Sequence, residues 1–262
     1  MSKTLILCAD DFAQTEAVSD GIVTLLAAGR LSAVSCMTNS PRWHLDAQTL
    51  IPYVGRADIG LHFNLTHSFD QATQSLSTLI RSSLFRRLDI APIRQALLQQ
   101  IDQFESSMHR APDFIDGHQH VHVFPQIRQV VCEVLAQRYP NKKPYLRRVT
   151  PSILHHDAFA KALILRLLAY RAGDEAALAG FRLPAAFAGL YSLSPTADFA
   201  GYMRRWLPSM PSGTLMMCHP GLAYQGEDDP IAAARAREMD YLLSDAFARD
   251  LQIADVRLSR FV

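Results

Sequence analysis

The chain has 262 residues, 49% hydrophobic and 19% charged, with 26 basic against 25 acidic side chains. That size suits a single domain over residues 1–262 with apolar surface enough for a core. A net charge of +1 argues against a broad electropositive field, so neither nucleic acid nor an anionic membrane is expected as partner.

Cys8, Cys36, Cys132 and Cys218 are far apart and form no Cys-x-x-Cys. They read as small buried hydrophobes in a reducing compartment. The run Thr4 to Cys8 is too short for a signal-peptide core, and no stretch reaches a membrane span's length. A cytoplasmic protein without transmembrane segment is expected, with a homodimer as the default assembly.

Thr4 to Ala9 is a continuous apolar run, as in a strand buried on both faces. It ends in Asp10-Asp11. A helical pattern follows from Thr15 to Ala28, closed by Gly29. Ser32 to Thr38 reads as a strand and Trp43 to Leu50 as a helix. Asp58 to Leu65 is the third strand and carries His62. Residues 67–90 are polar and mixed, a loop with short helical turns. Ile93 to His109 is an amphipathic helix. Pro112 to Asp116 is a strand that runs into His118, His120 and His122, and a helix follows from Gln126 to Tyr139. Tyr145 to Val149 is a strand holding Arg147. Ser152 to Leu178 is helical with a break near Gly173. Leu190 to Leu193 is a weak strand and Phe199 to Leu207 a short helix. Gly213 to Cys218 is a strand ending in His219. Ile231 to Ala248 is a helix and Ile253 to Val256 the closing strand.

Strands alternate with helices throughout, which predicts a parallel sheet with crossover helices. No Gly-x-Gly-x-x-Gly follows the first strand, and the polar signals sit at strand C-termini. Both favour a barrel-like fold over an open dinucleotide-binding sheet.

Taken singly, each polar signal has an ordinary explanation. Asp10-Asp11 suits a turn or a helix cap. His62 suits a hydrogen-bonded core histidine, and His219 a turn. In extended chain His118, His120 and His122 would point one way. If the strand ends near Asp116 they fan out, and only some reach a site. Together, a carboxylate pair and histidines on four strand ends predict a site for metal or acid–base chemistry.

These motifs resemble the YdjC-like carbohydrate deacetylases, the family that includes chitooligosaccharide deacetylase. The matching pieces are Ala9-Asp10-Asp11-Phe12, Gly60 to Thr66, Asp116 to Pro125 and Cys218-His219-Pro220-Gly221. The resemblance implies a distorted TIM-type (β/α) barrel with about seven parallel strands. It also implies one divalent metal ion, Mg²⁺ or Zn²⁺, and hydrolysis of the N-acetyl group of an amino sugar. That sugar would be an N-acetylglucosamine-type oligosaccharide or glycolipid. By position, Asp11, His62 and His118 would hold the metal, Asp10 would be the base and His219 the acid. Arg147 would orient a carboxylate or the substrate. His122 and Asn64 are assigned to substrate binding.

On softness this ligand set suits Zn²⁺, Mn²⁺, Co²⁺ or Ni²⁺ better than Mg²⁺. Ala13 stands where the family commonly has Gly, and segments 67–90 and 173–212 find no counterpart. A metal-dependent phosphoesterase and a non-catalytic sugar-binding protein are the alternatives.

Overall fold

The computed structural model describes residues 2–69, 73–152, 157–223, 226 and 229–261. One parallel sheet dominates it. Its strands are β1 (Lys3–Phe12), β2 (Ala33–Cys36), β3 (Asp58–Phe63), β4 (Phe114–Gly117), β5 (Tyr145–Leu146), β6 (Ala186–Ala188), β7 (Thr214–Cys218) and β8 (Val256–Leu258). The order is β5-β4-β3-β2-β1-β7-β6, with β8 against the start of β1. Every pairing is parallel.

β2, β3, β4 and β7 are buried along their whole length. That is why their sequences are mostly apolar without the polar alternation of a half-exposed strand. The sheet curls until its outer strands approach, and the Leu146 N–H donates to the Arg182 carbonyl at 3.0 Å. The result is the barrel-like α/β fold expected, incompletely closed between β5 and β6.

Ten α-helices cross between strands among the described residues. They are α1 (Glu16–Ala27), α2 (Trp43–Leu50), α3 (Leu76–Leu84), α4 (Ile90–Met108), α5 (Ile127–Arg138), α6 (Phe159–Leu168), α7 (Ala172–Leu178), α8 (Phe199–Ser209), α9 (Ala232–Leu243) and α10 (Asp245–Ile253). Caps explain several boundaries. The Thr15 hydroxyl accepts from Val18 N–H and starts α1. Ser244 accepts from Phe247 N–H, dividing the predicted helix 231–248 into α9 and α10. Arg171, at φ 63°, separates α6 from α7 near the predicted break.

Two predicted strands are displaced. The weak strand at 190–193 lies earlier, at Ala186–Ala188, and Leu193 takes φ 61°. Leu190 and Tyr191 are buried against the cavity rather than paired in the ladder. The closing strand begins at Val256, because Ile253 completes α10. No helix among the described residues is long and apolar enough to cross a membrane. All four cysteines are free, and three of them are buried.

Candidate active site

The C-terminal ends of β1, β3, β4 and β7 open onto one cavity of about 610 Å³. Asp10 and Asp11 both line it. In a regular strand, consecutive side chains face opposite ways. Here the register with β2 shifts between Ala9 and Phe12, and Asp11 and Ala13 adopt φ 68° and 72°. This bulge turns both carboxylates into the cavity. Ala13 therefore takes the left-handed conformation that glycine adopts without strain. The loop is pinned by Ser19, whose Oγ accepts from Ala13 N–H at 3.1 Å, and by Ser40, whose Oγ donates to the Ala13 carbonyl at 2.5 Å.

Asp11 Oδ1 lies 3.3 Å from His62 Nε2 and 3.0 Å from His118 Nδ1. Ligand atoms about 2.1 Å from a shared tetrahedral ion sit about 3.4 Å apart, so the triangle has the spacing of a metal site. Its three donor atoms lie within 4.8 Å of one another. His62 Nδ1 contacts Asp116 Oδ1 at 2.6 Å. Asp116 also accepts from Ser35 Oγ at 2.5 Å. The Asp116 carboxylate accepts from Nδ1–H and so fixes the ring with Nε2 facing Asp11, the arrangement that orients metal-ligating imidazoles. Burial disfavours charge on His62, but Asp116 and Asp11 overcome it and push the imidazole up to about 10. The Nε2 proton thus occupies the place a cation would take.

Asp11 Oδ2 accepts from Arg235 Nη2 at 2.8 Å, and Arg235 Nε donates to Asp229 at 2.6 Å. Burial alone would raise the Asp11 carboxyl. Arg235 and the hydrogen bonds from His118 and His62 hold it well below the usual range. Asp10 is gripped from below by Arg147, whose Nη1 and Nη2 donate at 2.6 and 2.5 Å. Arg147 also pairs with Asp116. Burial opposes the Asp10 charge too, yet Arg147 overrides it and keeps the carboxyl ionised.

His219 lines the cavity with Nε2 4.0 Å from Asp10 Oδ2. Burial pushes its imidazole down to about 4, against the pull of Asp11 and Asp10. The ring is therefore neutral at pH 7. Its backbone N–H donates to Glu238 Oε2 at 2.5 Å, and Tyr191 Oη donates to Oε1 at 2.5 Å.

Beyond β4 the chain turns through a 3-10 segment with Gln119 and His120 left-handed. The three histidines fan out. His118 joins the triangle, His120 stands edge-on to Phe187, and His122 Nε2 bonds the Arg147 carbonyl. Three residues expected at the substrate are placed elsewhere: Arg147, His122 and Asn64 are absent from the described cavity lining. Arg147 pairs with two carboxylates, Asp10 and Asp116, which is the first of the two roles expected of it. His122 braces the chain at Arg147. Asn64 accepts from Thr66 and His67 N–H and donates to the His67 carbonyl, shaping the loop after β3.

Conversely, Gln14, His67, Tyr191, Asp229 and Arg235 line the cavity without having been singled out in the sequence. Arg235 and Asp229 sit in and before a surface-type helix pattern that resembles any amphipathic helix. Asp116 lay in a motif read for its histidines.

The fold and site define a parallel α/β protein with an Asp-His-His triangle at the mouth of a curled sheet. The chain belongs to the YdjC-like protein family, whose profile matches residues 4–253. It is 29% identical over 245 residues to the mouse carbohydrate deacetylase, covering 83% of this chain and 77% of that protein. It is 32% identical over 143 residues to the chitooligosaccharide deacetylase of Yersinia pestis, covering 50% of this chain and 55% of that protein. The alignment to the zebrafish carbohydrate deacetylase covers 46% of that protein, so the chain spans about half the length of these last two relatives. In fold it is similar to a proposed cellobiose-phosphate cleavage protein of Enterococcus faecalis V583, with TM-score 0.74 and 21% identity over 100% of this chain and 98% of that one. It also resembles a peptidoglycan N-acetylglucosamine deacetylase, with TM-score 0.52 and 10% identity over 99% and 89%.

Proposed function

We propose that this chain, as one catalytic unit, is a divalent-metal-dependent hydrolase that removes the N-acetyl group of an amino sugar and releases acetate. The observation that carries it is the Asp11–His62–His118 triangle, with the second nitrogen of His62 fixed by Asp116. The charge balance supports a cation there. Four buried carboxylates, Asp10, Asp11, Asp116 and Asp229, surround two buried guanidiniums, Arg147 and Arg235. Buried charge left uncompensated is costly, and a divalent ion offsets the remainder. The relatives named as carbohydrate deacetylases support the reaction class.

When bound, such an ion supplies Lewis-acid polarisation of the acetamide carbonyl and acidifies water toward a pKa of about 7 in the best zinc cases. Asp11, His62 and His118 would hold it. Asp10, kept ionised by Arg147, accepts the proton of the attacking water. Its low proton affinity is the cost of being ionised in a buried place. As the C–N bond breaks, the amine needs a proton. His219 is neutral at rest, so it donates only after receiving a proton, and Asp10 is a carboxylate within 4.0 Å of it.

A two-ion phosphoesterase needs a second cation about 4 Å from the first. The neighbouring Cys8–Asp10–Asp116 cluster already holds the Arg147 guanidinium, which disfavours that reading. The test is acetate release from N,N′-diacetylchitobiose beside a phosphate-ester assay, for wild type and Asp10→Asn. The proposal expects acetate only, with Asp10→Asn losing turnover while keeping bound metal. Normal turnover in Asp10→Asn overturns the base assignment, and metal-loaded wild type releasing no acetate from any acetylated amino sugar overturns the activity.

A further inference from the structure

Strand β3 ends at Phe63, and the loop that follows is built around two buried amides. The Asn64 main-chain N–H donates to Gln100 Oε1 at 2.9 Å, and Gln100 Nε2 donates back to the Asn64 carbonyl at 2.8 Å. Gln100 comes from α4 and is buried, as is Asn64. Its side chain satisfies both main-chain groups of Asn64, as a neighbouring strand would. The Asn64 side chain then does the same for a residue further on. Its Oδ1 accepts from Thr66 N–H at 3.1 Å and His67 N–H at 2.9 Å, and its Nδ2 donates to the His67 carbonyl at 2.8 Å. One side chain thus holds both main-chain groups of His67. Buried amides satisfied in this way fix the backbone they bond.

This scaffold presents an imidazole to the cavity. The half-buried His67 ring lines it. The ring stands edge-on to Phe69, with centroids 4.6 Å apart, and edge-on to His118, with centroids 5.9 Å apart. The second distance is close to the 5.6 Å between His118 and His62, so His67 flanks the triangle. It does not belong to the group of converging donor atoms, which is Asp11, His62 and His118. Among the described residues, the hydrogen bonds of His67 are all main-chain ones. Both ring nitrogens are left for a group that enters the cavity.

The nature of that group follows from the deacetylase reading, on which this inference rests. The acetamide carbonyl comes to Asp11, His62 and His118. The sugar carbons nearest the flank of the triangle are then the two neighbours of the carbon bearing the acetamido group. One is the anomeric carbon, whose oxygen is taken up in a glycosidic link. The other, C3, carries a free hydroxyl that both donates and accepts. A neutral imidazole, with one donor and one acceptor nitrogen, complements it. We propose that His67 binds the C3 hydroxyl of the sugar being deacetylated, and that Asn64 and Gln100 are positioning residues acting through it. Asn64, expected at the substrate, reaches it through His67.

The experiment measures kcat/KM of the metal-loaded protein for N,N′-diacetylchitobiose and for its analogue with hydrogen in place of both C3 hydroxyls. Bound metal is followed beside it by elemental analysis. Wild type is expected to prefer the natural sugar about tenfold, the scale of one hydrogen bond. In His67→Leu the preference should fall to about unity with bound metal unchanged, and His67→Gln, which keeps a donor and an acceptor, should retain part of it. A merely structural role would lower both values together and leave their ratio as it was. Asn64→Ala should reduce the preference too, yet cost no further kcat/KM on diacetylchitobiose when added to His67→Leu, because the two act through one contact. Equal turnover of both sugars by wild type, or a preference that survives in His67→Leu, overturns the assignment. So does loss of metal from His67→Leu, which would make His67 a ligand. Full additivity of Asn64→Ala and His67→Leu overturns the positioning role. Wild type releasing no acetate from either sugar overturns the deacetylase reading and this assignment with it, whereas acetate release with an unmoved ratio overturns this assignment alone.

Discussion

Arg147→Met tests whether one guanidinium holds Asp10 ionised. Arg147 is 1% exposed, and its partners Asp10 and Asp116 are 1% and 0% exposed. It donates twice to Asp10, at 2.6 and 2.5 Å, and pairs with Asp116 as well. Methionine fills much of the volume but leaves two buried carboxylates uncompensated. Breaking a buried pair from one side costs about 3–5 kcal/mol, a large share of the roughly 5–15 kcal/mol that stabilises a typical domain.

The pH dependence carries the sharper signature. In wild type the Asp10 carboxyl is depressed despite its burial. Its contribution is therefore full at pH 7 and is lost only as pH falls below the ordinary aspartate range. In the variant burial is opposed only by the weaker pull of His62 and His219, and that carboxyl rises. Its ionised form then costs stability at neutral pH, and stability returns as pH falls toward about 5. The assay is urea unfolding of both proteins, metal-free, followed by circular dichroism from pH 8 to pH 5. The variant should lose about 3–5 kcal/mol at pH 7 and recover part of it on acidification, unlike wild type. A loss under about 1 kcal/mol, or parallel pH profiles, refutes the reasoning.

His118→Ala should abolish bound metal by elemental analysis, whereas His120→Ala should retain it, since His120 stands against Phe187 outside the triangle. The reverse pattern would mean that the wrong histidine of the motif was chosen. For Glu238, burial pushes the carboxyl up to about 7 even though Tyr191 and the His219 N–H bond it. An acid raised on folding stabilises fully below its unfolded pKa and loses that contribution as pH rises through the folded value. Between pH 4.5 and pH 7, wild type should lose up to about 3 kcal/mol relative to Glu238→Gln. Unfolding free energies that track each other across that window would remove Glu238 as the titrating group.

Much of the scaffold was legible because burial on both faces leaves an unmistakable mark. β1, β3 and β7 read as apolar runs, and each ends in a residue of the site: Asp10 and Asp11, His62, and His219. The grouping of Asp11, His62 and His118 was legible from the family resemblance, since His62 alone looks like an ordinary core histidine and the run His118 to His122 does not itself say which imidazole joins it. What the sequence hid depended on backbone detail and long-range pairing. The bulge that brings Asp10 and Asp11 to the same side follows from left-handed φ at two non-glycine residues, which no alternation rule anticipates. The resemblance offered Arg147 two roles, orienting a carboxylate or the substrate, and it could not name the carboxylates, Asp10 and Asp116, which lie 137 and 31 residues earlier in the chain. Arg235 reaches Asp11 across 224 positions, and nothing local in α9 announces it. The strand placed at 190–193 failed because Leu190 and Tyr191 are apolar for the cavity's sake.

The most direct measurement is acetate release by chelator-treated protein as Zn²⁺ or Co²⁺ is added back, for wild type and His62→Ala. Turnover in wild type should start near zero and rise to a single break at one equivalent, while His62→Ala stays flat. Full turnover by the metal-free protein, or an unchanged titration in His62→Ala, would contradict a cation held between Asp11, His62 and His118.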